Sequence, residues 1–401
     1  MNFGTRRRAR RRNIHHASTG RRWPKRVLIG VSIVVVLAVV GGIGGWFYVN
    51  SVLGSIKRVQ VSTLTPQASG APIDILLVGS DSRAFVDGTG QASAFGNAAT
   101  QTGQRSDVIV VVRLVPGTRQ IEMLSIPRDT YVPIPGTGGS NRVNAAFNTG
   151  PSLLVKTIED DFGIPINHVM LANFPGFEGM VNALGGISLD FRYPVRDQYS
   201  GLNVTTLGCQ TVNGTQALAL VRSRHLYYYK DGAWNYDGMS DWSRIQRQQA
   251  FFHAVLNKVS GEFPNILAMN SFLRATAGDL KVDSGLSSGE MMSLGLKFRG
   301  VNSNSLATEV LPTSGTVIGG NDVLLAAQPY SNQMISKFLA FGTTTSTTGT
   351  SSSTKASAST VVIGPGIAAL ASDETTPTTP RSQVVFDNPK NLPEPWNPTP
   401  C

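Results

Sequence analysis

Five short stretches of the chain put acids and arginines where chemistry needs them. "GSDSR" carries Asp81 and Arg83, "RSD" carries Arg105 and Asp107, and "PRD" carries Arg128 and Asp129. "RSR" supplies Arg222 and Arg224, and "DWSRIQRQQ" supplies Asp241, Arg244 and Gln248 at i, i+3 and i+7, one polar stripe on a helix. The planar, permanently charged guanidinium fork matches phosphate oxygens. Taken singly, each stretch has a bland reading: Asp and Ser cap turns and helices, and neighbouring Arg and Asp form surface ion pairs worth little. Three acid–arginine pairs at strand ends, with a double arginine whose only acid nearby in sequence is Asp231, favour an anionic ligand.

The elements that must hold these groups follow from the pattern between them. Ile73 to Ser80, Ser106 to Val115 and Gln120 to Ile126 are near-continuous β-branched and apolar runs, as strands buried on both faces require. Pro116 and Gly117 predict a hairpin between the second and third. Helical patterns occupy "PSLLVKTIEDDFG", "PGFEGMVNALGG" and "SDWSRIQRQQAFFHAVLNKVSGEF", and Gln216 to Val221 reads as a short helix that delivers Arg222 and Arg224 at its end. The predicted class is α/β: a central mixed β-sheet flanked by helices.

Charge and composition divide the 401 residues. Ten of the 35 Lys and Arg lie in residues 1–26, so the remaining 25 balance the 25 Asp and Glu, and the net charge of +10 belongs to this tail. It runs into an uncharged apolar stretch at 27–49, long enough to span a bilayer, which with the basic tail inside predicts a cell-membrane protein of one pass with a cytoplasmic N-terminus and an extracytoplasmic domain. A linker at 50–70, a domain at 71–341, a Ser/Thr-rich spacer at 342–360 and a Pro-rich, largely disordered tail at 361–401 follow. Anionic lipid explains the arginine tail more simply than nucleic acid does, because 26 residues hold no folded DNA-binding unit. No His-Glu-x-x-His, Cys cluster or Gly-x-Ser-x-Gly elbow is present, which argues against a zinc site or a hydrolase triad. Cys209 and Cys401 either pair with each other or remain free or intermolecular. The aromatic stretch His225 to Trp242 lies beside the candidate site and suits sugar rings, a bilayer interface or plain packing.

The order "LLVGSDSR", "RSDVIVVV", "LSIPRDTYVPIPG", "NRVNAAFNTG", "NFPGFEGMVNALGG", "VNGTQALALVRSR", "DWSRIQRQQ" resembles the LytR-CpsA-Psr family of membrane-anchored phosphotransferases, over about residues 72–341. Asn167 and Asn182 stand where acids are common in that family. The resemblance implies Mg²⁺, with Mn²⁺ as the alternative, held by Asp81 and Asp107. It implies a polyprenyl-pyrophosphate head bound by Arg83, Arg128, Arg222, Arg224, Arg244 and Gln248, with Arg105, Asp129 and Asp241 in the same motifs. The implied reaction moves a glycopolymer phosphate from polyprenyl pyrophosphate to a hydroxyl of peptidoglycan, and Phe251, Phe252 and Leu256 are candidates to line a lipid slot. The competing readings are a non-catalytic glycolipid-binding or regulatory membrane protein and a polyprenyl-pyrophosphate hydrolase.

Overall fold

The computed structural model describes residues 44–80, 106–262, 274, 277, 280–343 and 397–401. It forms two units, Met1–Ser51 and Val52–Cys401. In the first, residues 44–51 are helical; the predicted span lies mostly outside the described residues, among which no helix is long and apolar enough to cross a membrane.

The second unit is built on a mixed seven-stranded sheet. In spatial order its strands are β1 (Lys57–Val59), β14 (Leu280–Asp283), β7 (His168–Asn173), β2 (Ile73–Ser80), β3 (Ser106–Val115), β4 (Gln120–Ser125) and β15 (Leu306–Val310). The expected hairpin is the antiparallel β3–β4 pair, and the β2–β7 and β4–β15 pairs are parallel. Alternate residues of β2 to β4, including Leu76, Ile109 and Leu124, pack under the helices Pro151–Phe162 and Tyr330–Ala340 to form the main core. Asp74 and Arg113, directly opposite on β2 and β3, form a buried 2.7 Å ion pair, and Arg113 also donates to the carbonyls of Leu339 and Phe341, which ties the last of these helices to the sheet.

Smaller sheets surround this body. Hairpins pair β5 (Tyr131–Ile134) with β6 (Gly139–Arg142) and β16 (Thr313–Ile318) with β17 (Asn321–Ala326). A second core lies beneath β8 (Ile187–Phe191), β9 (Val195–Asp197), β10 (Leu202–Val204) and β11 (Gly208–Val212), where the helices Phe174–Ala183, Gly214–Arg222 and Ser240–Glu262 meet. Beside β9 run β12 (Tyr227–Lys230) and β13 (Ala233–Tyr236), a hairpin inside the aromatic stretch.

The end of the chain is fastened here. Cys209 and Cys401 form a disulfide across 192 residues, and Thr399–Pro400 adds as β18 to the edge of β8. Residues 397–401 of the Pro-rich tail are therefore an ordered part of the domain.

Candidate functional site

One end of the central sheet gathers the first wall of the site. β2 ends at Ser80, which lies beside Ser106 at the start of β3 and Asn173 at the end of β7, while Ile126, leaving β4, donates to Ile109 at 2.9 Å. Asp107 and Arg128 consequently meet as an ion pair. Asp129 touches two guanidinium groups, with Arg128 Nε and Arg142 Nε each 3.4 Å from its carboxylate. Asp81, Arg83 and Arg105 lie outside the described residues, although Asp81 is the next residue after Ser80 in the chain.

The second wall is the "RSR" turn against the long helix. Asn213 and Gln216 close a reciprocal capping box at the start of Gly214–Arg222, an arrangement worth about 1 kcal/mol. That helix is fixed at its first residue: a Cβ on Gly214 would lie 2.3 Å from the carbonyl oxygen of Glu178, so only glycine allows the two helices this approach. Asn182, in a position where the family commonly has an acid, accepts the Gly214 N–H at 2.8 Å.

Past the helix, Asp197 gathers the turn. Its carboxylate accepts the Ser223 hydroxyl at 2.6 Å and the amides of Arg224 and His225 at 3.0 and 2.9 Å. Burial works against its charge, but these bonds, with those from Tyr199 and Ser200, hold it below the usual carboxylate range. From the other side the buried Arg247 donates to the Ser223 carbonyl at 2.6 Å, to Asn397 Oδ1 at 2.9 Å and to Asp237 at 3.4 Å.

With Ser223 held on both sides, its neighbours diverge in partner. Arg224 makes a two-point contact with Asp241, Nε to Oδ1 at 2.6 Å and Nη2 to Oδ2 at 2.8 Å. Arg244, one turn along the helix, reaches the same carboxylate at 3.0 Å. Arg222 instead lays its guanidinium 4.4 Å from the ring of Phe174, the first residue after β7. Gln248 donates to the Val221 carbonyl at 3.1 Å and supports the helix end.

The two walls share one field. Arg128 is charged more strongly than an ordinary arginine: burial opposes it, but Asp107, Asp129 and Asp241 all favour the cation. Arg244 is 5% exposed, and burial pulls it down to about 10, so it remains cationic at neutral pH. Its Nε has no hydrogen-bond partner among the described residues, a cost that a bound anion would relieve. Burial raises the half-buried Asp241, but Arg244 and Arg224 hold it below the usual carboxylate range.

The oxygen donors at this end suit a hard divalent cation, which takes one or two carboxylates and shares phosphate oxygens and water. Asp107 is partly exposed there, and the buried Ser106 hydroxyl has no partner among the described residues. Among those residues no cluster of three or more metal-ligating side chains exists.

Next to Asp107 begins an apolar surface. Val108, Leu77, Val112 and Ile121 are half-buried on the sheet face that meets Phe252 and Leu256 of the long helix. Phe251 turns into the second core and stacks on Phe177, with centroids 4.5 Å apart.

Sequence spacing missed the groups that position the arginines. Arg142 lies inside "NRVNAAFNTG" and Arg247 inside "DWSRIQRQQ", three residues after Arg244, so both were marked by motif. Asp197, Asp237 and Asn397 carry no local signal.

Comparison with known proteins agrees with this architecture. The model of the LytR_cpsA_psr family matches residues 50–338. A probable cell wall biosynthesis protein, LcpB of Corynebacterium glutamicum, is 32% identical over 260 residues, 64% of this chain; the match spans 58% of that relative's length. TagT of Bacillus subtilis, named as a polyisoprenyl-teichoic acid–peptidoglycan teichoic acid transferase, is 30% identical over 271 residues, 66% of this chain and 79% of its own. A LytR-Csp2A-Psr enzyme structure from Actinomyces oris superposes with a TM-score of 0.57 at 26% identity, covering 71% of this chain and 95% of that one. The family model spans the sheet and both walls of the arginine site, the long helix included, and the chain belongs to the LytR-CpsA-Psr family.

Proposed function

We propose that the chain transfers a glycopolymer phosphate from a polyprenyl-pyrophosphate carrier to a hydroxyl of peptidoglycan and releases polyprenyl phosphate. The observation that carries this reading is the convergence of Arg128, Arg224 and Arg244 on interleaved aspartates, beside a half-buried apolar sheet face. A pyrophosphate needs the cations, and a prenyl chain needs the apolar face.

In the reaction the acceptor oxygen bonds to the phosphorus that bears the sugar. The bond from that phosphorus to the bridging oxygen breaks, and polyprenyl phosphate departs with the electron pair. Arg128, Arg224 and Arg244 take up the charge that grows on the leaving phosphate, and positioning plus neutralisation supplies most of the catalysis such a transfer needs. Asp129, held only loosely at 3.4 Å by two guanidinium groups, receives the hydroxyl proton. Arg222, braced on Phe174, holds the outer phosphate oxygens. Asp107, together with Asp81, would hold Mg²⁺ or Mn²⁺, which when bound supplies further neutralisation at the pyrophosphate oxygens. The apolar segment 27–49 would anchor the domain in the membrane that contains the carrier.

The test is a transfer assay with the full chain in detergent, since residues 397–401 belong to the domain. The substrates are a short-chain polyprenyl-pyrophosphoryl glycan, Mg²⁺ and peptidoglycan fragments, with products read by mass spectrometry. Phosphodiester-linked glycan plus polyprenyl phosphate, abolished by Arg128→Ala, supports the transferase. Bound but uncleaved lipid would replace it with a binding protein, and free glycan phosphate without linkage would replace it with a hydrolase.

A further inference from the structure

The sheet β10–β9–β12–β13 buries one face and leaves the other bearing aromatic rings. Val195, Leu202 and Tyr228 pack inward. On the opposite face Tyr227 stands across from Tyr236, and Tyr229 from Trp234. The rings form two groups. Tyr199 lies 4.7 Å from His225, His225 6.5 Å from Tyr236, Tyr236 5.2 Å from Tyr227, and Trp234 5.4 Å from Tyr229. Arg196 joins the two groups, its guanidinium 6.0 Å from the Tyr227 ring and 4.0 Å from that of Trp234. Tyr199 is 84% exposed, and Tyr227, Tyr229 and Tyr236 are exposed as well.

Cross-strand aromatic pairs strengthen a hairpin, but that role does not require a ribbon that runs on through Arg196 to a turn residue. Electron-rich ring faces meet the weakly positive C–H faces of sugar rings, and the phenol, imidazole and indole edges offer hydrogen bonds to hydroxyls. Leu226, the leucine of this stretch, is buried in the second core, so the ribbon presents rings rather than the aliphatic side chains that insert into a bilayer. One end adjoins the arginine site, because His225 directly follows Arg224, while the other runs out along the hairpin.

We propose that this ribbon is a sugar-binding track for the glycan chain of the carrier-linked polymer. The inference rests on the transferase reading above. A polymer whose first sugar is fixed at the pyrophosphate leaves in one direction, as the ribbon does. A peptidoglycan strand whose attacking hydroxyl lies along its length would need contact surface on both sides of the site.

The test titrates the full chain in detergent with lipid-free oligosaccharides: wall arabinogalactan and teichoic acid fragments, and peptide-free peptidoglycan strands. Binding is followed by calorimetry for wild type, Trp234→Ala, Trp234→Phe and Tyr199→Ala. Wall-polymer fragments bind, Trp234→Ala weakens them about tenfold, and Trp234→Phe stays within about threefold of wild type. In the transfer assay Trp234→Ala raises KM for long-chain donors and leaves a donor with a single sugar unchanged. Tyr199→Ala, at a solvent-exposed turn, reports on the track should Trp234→Ala fail to fold. Oligosaccharide binding without any wild-type transfer would sink the transferase and spare the track. Binding of peptidoglycan strands alone, no wall-polymer binding, indifference to both Ala variants, or Trp234-dependent binding of phosphatidylglycerol vesicles in place of glycans would each overturn it.

Discussion

Asn397 Oδ1 accepts a hydrogen bond of 2.9 Å from Arg247 Nη1, across a separation of 150 residues. Arg247 is fully buried and spends another N–H on the Ser223 carbonyl, so the segment 397–401 braces the turn between Arg222 and Arg224. Asn397→Ala leaves this cation with one acceptor fewer and should lower kcat about tenfold with KM for the lipid donor little changed. Asn397→Asp, which keeps the acceptor and loses the 2.8 Å donation to Gln246, should restore most of the rate. Faster amide exchange at Arg224 and His225 in Asn397→Ala alone would separate positioning from general loss of stability. Unchanged exchange would count against the brace.

The two-point contact between Arg224 and Asp241 predicts that lysine cannot replace this arginine, because an ammonium lacks the fork. Arg224→Lys should lose about a hundredfold in kcat/KM, or about 2.7 kcal/mol of transition-state stabilisation. Asp241→Asn should behave similarly, since it leaves Arg224 and the buried Arg244 facing a neutral amide. Steady-state kinetics on both variants checks this.

Gly214 is the hinge-pin of the cationic wall. Gly214→Ala would force its Cβ onto Glu178, whose carbonyl oxygen and Cα lie 2.3 and 2.7 Å from it, and backbone atoms cannot turn aside as a side chain can. The expected cost is about 1–3 kcal/mol from overpacking, read as a shift in the denaturation midpoint.

Glu122, 1% exposed on β4, is pushed up to about 7 by burial, with Lys337 opposing and Glu309 adding to the rise. The unfolded carboxyl loses its proton near 4.5 while the folded one keeps it to about 7. Folding therefore takes up a proton across that window, and stability falls as pH rises through it. Glu122→Gln should raise the melting temperature at about pH 8 and leave it nearly unchanged at about pH 4. A pH-independent effect would show that the carboxyl is not protonated in the fold.

Local pattern carried much of this structure because strands and helices are written in nearest neighbours. Ile73–Ser80 and Ser106–Val115 appear with the bounds their β-branched runs suggest, and the Gly after "TIEDDF" sits at φ 63° as a left-handed helix stop. The aromatic stretch His225 to Trp242 reads from its sequence as a loop, whereas "YYYK" and "AWNY" pair as a hairpin around the turn at Asp231 and Gly232. The arginine partners were least legible. Arg224 finds its acid 17 residues later, on another element, and Ser223 finds Asp197 26 residues earlier. Such pairings follow from how helices and sheets stack, which periodicity does not encode.

The disulfide divides the site by topology. Arg222, Arg224, Asp241 and Arg244 all lie within the covalent ring that Cys209 and Cys401 close, whereas Asp107, Arg128 and Asp129 lie outside it. When the oxidised chain unfolds, the cationic wall stays confined to one closed loop while the sheet wall lies on the open arm that leads into it. Refolding the site is then a docking of two unequal partners, a ring that has kept its residues together and an open chain that must find it. A single cut in the backbone between 343 and 397 opens the ring yet releases no fragment, because the severed tail remains sulfur-bonded to Cys209.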